Sequence, residues 1–231
     1  MSDNPSRGFI YGVGGNDVYV KSAKLSAESL RDYYPDAQIT LVAPPRMVDS
    51  ECRRIFNNII SDDRTPDCSR TKLWALTKTP YDTTMYLDAD TIVESEEVQQ
   101  CWDQLGTHDI LFTLIRKYNS NPRGFVNDVE YKYHGGVFLY NRNCIKLMSE
   151  WWDRWSRGQT EWEYSYTPNF RHWDQFYLYY ILKYTKHGLD VGVFQEDARW
   201  NFVNGYLMFE LGGKPPIIRH QTISKGELEV L

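Results

Sequence analysis

The sequence lacks the marks of a secreted, membrane-spanning or nucleic-acid-coating protein. It opens Met1-Ser2-Asp3-Asn4-Pro5-Ser6-Arg7, with no apolar stretch of the kind a signal peptide carries. No later run approaches the ~18 consecutive apolar residues of a membrane span. A soluble, cytoplasmic chain is therefore expected. Cysteine is scarce, and Cys52, Cys68, Cys101 and Cys144 form no C-x-x-C pair. That spacing suits neither a zinc site nor a dense disulfide framework, so reduced structural thiols are expected. There is no excess of positive charge either. Lys and Arg number 26 against 31 Asp and Glu, a formal net charge of −5, which argues against a phosphate-backbone binder while leaving room for a local basic patch. No segment is of low complexity, and no repeat of solenoid period is present.

Aromatic residues are plentiful: 8 Trp, 17 Tyr and 10 Phe, many of them between Trp151 and Tyr184. Rings stack on sugars and bases, and they also simply fill cores. Helical spacing explains Trp151, Trp155, Phe176, Tyr180 and Tyr184 as core. Trp152, Trp162, Tyr164 and Tyr166 fall off those stripes and are candidates for a surface that stacks on a sugar or base.

Along the chain, strand and helix patterns alternate. Phe9 to Val13 is an apolar run ended by Gly14-Gly15. Asn16-Asp17 can cap a helix striped by Ala23, Ala27, Leu30 and Tyr34, which Pro35 stops. Ile39 to Val42 is a short strand, and Arg46 to Ile60 is expected to hold a helix. Ser69 to Lys78 reads as a helix with Leu73 and Leu76 facing in, and Thr84 to Leu87 as a strand. Ser95-Glu96-Glu97 starts a helix with Val98, Cys101, Trp102 and Leu105 on its inner face. Strands follow at Ile110 to Ile115, Val137 to Tyr140 and Val191 to Phe194, with helices at Asn143 to Arg157 and Asp174 to Thr185. The tail from Gly212 reads as loop-rich. The alternation predicts an α/β sandwich with a mainly parallel sheet, and such sheets bind ligands at strand C-termini.

Met85-Tyr86-Leu87-Asp88-Ala89-Asp90-Thr91 is the most informative stretch. An apolar strand ends in two carboxylates separated by one small residue. Asp88 and Asp90 can converge on one divalent cation, and Mg²⁺ or Mn²⁺ keeps positions open for substrate phosphates. Two other readings remain. The pair can cap the next helix or solvate a loop. Alternatively, Asp-x-Asp-x-Thr after a strand is how haloacid-dehalogenase-like phosphohydrolases begin. Asp88 would then be the nucleophile and Asp90 the general acid/base, with Lys117 or Lys132 and Glu196-Asp197 as partners. That fold usually opens with this strand, whereas here a strand–helix–strand unit comes first.

Five further segments accompany the acidic pair: Asn16-Asp17-Val18-Tyr19, Arg70-Thr71-Lys72-Leu73-Trp74, His134-Gly135-Gly136-Val137-Phe138, Trp173-Asp174-Gln175, and Ile217-Ile218-Arg219-His220 with Lys225 beyond it. Each has a local explanation: a helix cap with a core Tyr, a solvated Lys, a close backbone approach at the Gly pair, a favourable charge at a helix start, a structural His. Together and in order, from about Phe9 to Lys225, the six segments resemble the glycogenin-like sugar transferases, glycosyltransferase family 8, although most positions between them do not match.

The resemblance implies a single GT-A-type α/β domain over 1–231. A Rossmann-like nucleotide-sugar half would cover about 8–115, and a smaller acceptor half with a C-terminal metal and phosphate loop about 116–231. It implies transfer of a sugar from a nucleotide-sugar, a UDP-sugar by preference, with retention at the anomeric carbon. Asp88, Asp90 and His220 would hold Mn²⁺ or Mg²⁺. Tyr19 would stack on the uracil, and Lys72 and Lys225 would share the phosphate charge. Tyr11, Asn16, Ala89, Gly135 and Gly136 complete the implied donor surface. Asp174 and Gln175 would lie near the anomeric carbon. The family usually has Asn where this chain has His134, so His134 would touch the transferred sugar or the acceptor. The family's Lys-Pro-Trp ending is missing after His220. The acceptor, whether glycan, protein, small molecule or modified nucleic acid, is not implied, and a non-catalytic nucleotide-sugar-binding module is also compatible with these motifs.

Overall fold

The computed structural model describes residues 6–115, 133–158, 174–203 and 211–221. A seven-stranded sheet forms its centre, in the order β3-β2-β1-β4-β7-β6-β8. The strands are β1 (Arg7–Gly12), β2 (Ile39–Val42), β3 (Asn58–Ile60), β4 (Thr83–Leu87), β6 (Ile110–Leu114), β7 (Tyr133–Asn141) and β8 (Val191–Val193). β7 runs antiparallel to both of its neighbours, and the remaining pairs are parallel. This is the mainly parallel, helix-flanked α/β fold expected from the sequence.

The inner strands of the sheet are buried on both faces, which is why they read as largely continuous apolar runs rather than alternating ones. The period of two still sorts the side chains. Phe9, Tyr11, Met85, Leu87, Val137 and Leu139 pack on one face with helix α1 (Asp17–Tyr33). Ile10, Tyr86, Phe138 and Tyr140 pack on the other, against α3 (Thr71–Leu76), α5 (Ile145–Gly158) and α6 (Asp174–Tyr184). Trp151 of α5, with no exposed surface, anchors this second layer. Truncating such a residue to Ala costs about 3–5 kcal/mol.

Several boundaries differ from the expected ones. Arg46 to Ile60 holds the expected helix in only part of its length. It divides into a 3₁₀ turn (Pro45–Met47), a six-residue α2 (Ser50–Ile55) and the edge strand β3. Asp49 restarts the chain as an N-cap, its side chain accepting from Cys52 N at 2.8 Å, and Ile59 pairs with Leu41 of β2. Glu96–Gln100 is 3₁₀ before the short α4 (Cys101–Gln104). In α6 the buried stripe is Tyr177, Leu178 and Ile181; Tyr184, expected in the core, is 60% exposed near the helix end.

The tail expected to be loop-rich also contains a strand. β10 (Ile218–His220) joins β5 (Thr91–Val93) and β9 (Phe202–Val203) in a second, three-stranded sheet, and the short α7 (Asp197–Trp200) leads into β9. β5 and β10 pair antiparallel, with His220 opposite Thr91, and Gln221 N donates to Asp90 O at 2.7 Å. This small sheet carries a late residue of the chain to the end of β4. Among the described residues no helix is long and apolar enough to cross a membrane, and all four cysteines are free thiols.

Candidate functional site

A cleft of about 490 Å³ opens at the C-terminal ends of β1 and β4. Its floor is a crowded piece of backbone. A Cβ placed on Gly12 would come within 2.6 Å of Lys72 Cα, so a side chain there would push α3 off the sheet. A Cβ on Gly136 would meet the rings of His134 and His220 at 2.7 Å and Asp88 Oδ2 at 2.8 Å. Only Gly lets these three side chains meet.

Asp88, Asp90 and His220 form the one group of potential metal ligands found among the described residues, with their ligand atoms all within 4.8 Å of one another. His220 Nε2 lies 3.2 Å from Asp90 Oδ1 and 3.8 Å from Asp88 Oδ2. Burial alone would lower the His220 pKa, but the hydrogen bond to Asp90 and the charges of both carboxylates raise it above its ordinary value. Burial pushes the Asp90 pKa up, and the hydrogen bond and charge of His220 more than reverse this. The backbone turns sharply between the two carboxylates: Thr91 N and Oγ1 both donate to Asp88 O, at 3.2 and 2.8 Å. Tyr86, buried in the sheet, donates its hydroxyl to Asp88 Oδ1 at 2.5 Å. Two carboxylates and one imidazole make a mixed oxygen and nitrogen set that suits Mn²⁺ or Mg²⁺ with positions left for other ligands. The set fits a divalent cation.

Beside this group stands a second cluster. Lys72 Nζ lies 3.1 Å from Asp88 Oδ1 and 2.9 Å from Asp174 Oδ2, and Arg70 Nε lies 3.2 Å from Asp174 Oδ1. Burial would lower the Lys72 pKa, yet Asp174 and Asp88 hold it above the usual lysine value. Burial would raise the Asp174 pKa, and Lys72 and Arg70 bring it down to about 2. These contacts of Asp174 are close in charge but poorly aligned. Asp174 Oδ2 and Arg70 Nε are buried and have no hydrogen-bond partner among the described residues. Buried polar atoms with bonding capacity to spare in a cleft wall are suited to hold a polar ligand.

The positions around Asp174 are fixed from the core. Trp151 Nε1 donates to Asp174 O at 2.8 Å, and Gln175 Oε1 accepts from Gly135 N at 3.1 Å. His134 Nδ1 accepts from Gly136 N at 3.0 Å. Burial, with the positive charges of His220 and Lys72, pushes the His134 pKa down to about 3. His134 is thus a neutral ring carrying its proton on Nε2.

Of the residues singled out in the sequence, Tyr19, Lys72, Asp88, Ala89, Asp90, His134, Gly135, Gly136, Asp174, Gln175 and His220 line this cleft. Two do not. Tyr11 is fully buried, and its hydroxyl sits 2.9 Å from Ser26 Oγ. The strand's alternation turns it towards α1 rather than the cleft. Asn16 caps α1, its side chain accepting from Val18 N at 3.0 Å. Lys225, Trp162, Tyr164 and Tyr166 lie outside the described residues, as do Lys117 and Lys132. Trp152 packs on Trp155 at 5.6 Å between centroids, away from the cleft lining. Arg70 lines the cleft although the sequence reading gave its role only to Lys72, two residues on. The acidic partners expected for a phosphohydrolase are committed elsewhere. Glu196 pairs with Arg199 and Lys214, Asp197 Oδ2 accepts from Leu114 N at 2.9 Å, and neither lines the cleft.

No protein-family model matches the chain, and no curated protein sequence matches it. Solved structures do. The glycosyltransferase GlyE of Streptococcus pneumoniae TIGR4 superposes with a TM-score of 0.62 at 16% identity, over 95% of this chain and 55% of that one. This chain therefore spans little more than half the length of GlyE. The galactosyltransferase LgtC, solved with donor and acceptor sugar analogs, superposes with a TM-score of 0.56 at 17% identity, over 94% of this chain and 87% of that one. A glycosyltransferase involved in glycosylation of the major capsid of PBCV-1 gives a TM-score of 0.56 at 13% identity, over 98% of this chain and all of that one. At these identities the likeness is one of fold, and the chain has the GT-A-like fold of those glycosyltransferases.

Proposed function

We infer that the chain is a metal-dependent glycosyltransferase that transfers a sugar from a nucleotide-sugar, a UDP-sugar by preference, with retention at the anomeric carbon. The observation that carries this reading is the convergence of Asp88, Asp90 and His220 beside the Lys72–Asp174–Arg70 cluster. The motif order that resembles glycosyltransferase family 8 supports the same reading, and so does the GT-A-like fold.

A Mn²⁺ or Mg²⁺ held by Asp88, Asp90 and His220 would neutralise the diphosphate leaving group. Lys72 adds a fixed positive charge next to that position, and preorganised charge of this kind is commonly the largest catalytic term. Lys225 is proposed to join it. Tyr19, on the cleft wall, offers a ring face to the base. Asp174 stays ionised at neutral pH, held in the cleft wall between Lys72 and Arg70. It is suited to bind sugar hydroxyls and to stabilise positive charge at the anomeric carbon. Gln175 and His134 present N–H donors from fixed orientations. The residues lining the cleft come from both the donor half (8–115) and the acceptor half (116–231), and the acceptor is proposed to approach from the latter.

The test is release of nucleoside diphosphate from a panel of nucleotide-sugars, with Mn²⁺, with Mg²⁺ and with chelator, for wild type and Asp90→Ala. Metal-dependent release from one donor, lost in Asp90→Ala, supports the transferase. Binding of a nucleotide-sugar without turnover against any acceptor would instead make the chain a binding module. Trapping of a phosphoenzyme at Asp88 by a metal fluoride would overturn the reading in favour of a phosphohydrolase.

A further inference from the structure

Behind His220, on the side away from the carboxylates, stands a row of buried polar side chains that the proposed reaction does not use. His220 Nδ1 lies 2.9 Å from Asn201 Oδ1. Asn201 Nδ2 donates to Thr113 Oγ1 at 3.1 Å, and Thr113 Oγ1 donates to Val137 O at 3.2 Å. Asn201 and Thr113 are each 1% exposed. The row therefore runs from the small sheet into β6 and β7 of the large one. Its placement follows from strand pairing. Asn201 directly precedes β9, and β9 pairs in parallel with β10, Phe202 opposite Arg219 and Val203 opposite His220.

The direction of each bond is fixed by counting protons. Thr113 has one hydroxyl proton and gives it to Val137, so its lone pair receives the Asn201 amide N–H. The Asn201 oxygen must then face His220. An amide oxygen only accepts, so Nδ1 carries a proton. Nε2 faces Asp88 and Asp90, where a cation takes the place of the proton it shares with Asp90. In the other tautomer, Nε2–H would donate to Asp90 Oδ1, 3.2 Å away, and would occupy the position a cation needs.

We propose that Asn201 is the positioning residue of the metal site: by accepting from His220 Nδ1–H it fixes the tautomer and ring plane that aim Nε2 at a divalent cation shared with Asp88 and Asp90. Thr113 acts one step further back, by holding the Asn201 amide in the accepting orientation. This rests on the metal-site reading above. Partners of this kind behind a ligating His typically change metal affinity by roughly 10–100-fold when removed.

Mn²⁺ binding, followed by the electron-paramagnetic signal of the free ion, separates the possibilities without any turnover. Asn201→Leu keeps the volume and removes the acceptor; it is expected to weaken Mn²⁺ binding by roughly 10–100-fold. Asn201→Asp keeps an oxygen at the same place and is expected to restore affinity to wild type or better. A long-range proton–nitrogen spectrum at alkaline pH reads the tautomer directly: Nδ1–H in wild type and Asn201→Asp, Nε2–H in Asn201→Leu. Where Asn201→Leu does not fold, Thr113→Val, which frees the amide to turn, is read by the same titration and is expected to weaken binding several-fold. Unchanged Mn²⁺ affinity in the acceptor-less variant, with His220→Ala still weakening it, would overturn the role of Asn201. Unchanged affinity in both His220→Ala and Asp90→Ala would overturn the metal site itself.

Discussion

Replacing Lys72 by Met removes an ammonium that lies 3.1 Å from Asp88 and 2.9 Å from Asp174. Two unit charges at about 3 Å attract by roughly 5–6 kcal/mol at an effective dielectric constant of about 20, and the desolvation of both groups offsets most of this. The net worth of the intact cluster is therefore small, but truncation of one member is not, because it leaves buried charge without its counterpart. Losses of this kind run to about 3–5 kcal/mol in fully buried pairs. Arg70 still neutralises part of Asp174 here, and the cleft admits water, so a loss of about 2–3 kcal/mol is expected in Lys72→Met. For a chain of this size that corresponds to a fall in Tm of roughly 4–12 °C. Asp174→Asn added to Lys72→Met removes the stranded carboxylate. The double variant should be less destabilised than the sum of the singles, with a coupling of about 1–2 kcal/mol. Metal binding should move the other way: without the ammonium beside Asp88, the Mn²⁺ affinity of Lys72→Met rises even as transfer activity falls. Urea unfolding of the four proteins of the cycle, with a Mn²⁺ titration of each, makes the measurement. Strict additivity in the cycle, or a Lys72→Met protein of wild-type stability, would refute the argument that Lys72 is shared by the two carboxylates.

Three further predictions concern the same pocket. Gly136→Ala places a methyl group within 2.7–2.8 Å of His134, His220 and Asp88; it should abolish Mn²⁺ binding and activity while the sheet, paired through Val137 to Asn141, remains folded by circular dichroism. Acid stability follows from Asp174, whose pKa falls from the ordinary 3.8 to about 2 in the fold. As the pH drops, the unfolded chain takes up the proton first, so the stability from this ionised group is present above about pH 4 and is lost between pH 4 and 2. That loss amounts to about 2 kcal/mol. Unfolding midpoints measured at pH 6, 4 and 3 should converge between wild type and Asp174→Asn as the pH falls, and a constant gap would contradict the assignment. His134, with its pKa near 3, should show no imidazole titration by NMR between pH 8 and 5.

The parts of this molecule that were legible in its sequence are those where one physical cause dominates. A strand buried on both faces must be apolar throughout, so β1, β2, β4 and β6 could be read directly, and Asp88-Ala89-Asp90 stood out as charge at the end of such a strand. β5, β9 and β10 could not be read, because two or three residues carry no measurable period and their stability comes from pairing with one another. The antiparallel course of β7 was equally hidden, since direction leaves no mark on side-chain pattern. His220 entered only through resemblance; in the fold it reaches Asp90 because β10 pairs with β5. Tyr11 was assigned to the donor surface, but alternation along β1 turns its side chain into the core. Asn201 did leave a signal. A polar amide within Trp200-Asn201-Phe202-Val203 would be buried if its neighbours were, and a buried amide needs partners.

The central claim is that Asp88, Asp90 and His220 complete a nucleotide site only when a divalent cation joins them. Its most direct test is the Tm with UDP and Mn²⁺, alone and together, for wild type and Asp90→Ala. A ligand present at ~100-fold excess over its Kd, and bound only by the native state, stabilises by about 2.7 kcal/mol, or roughly 5–11 °C for a chain of this size. The account predicts that UDP and Mn²⁺ together raise the Tm of wild type by more than the sum of their separate shifts, and that the excess vanishes in Asp90→Ala. A shift with UDP that is indifferent to Mn²⁺ and unchanged in Asp90→Ala would contradict it.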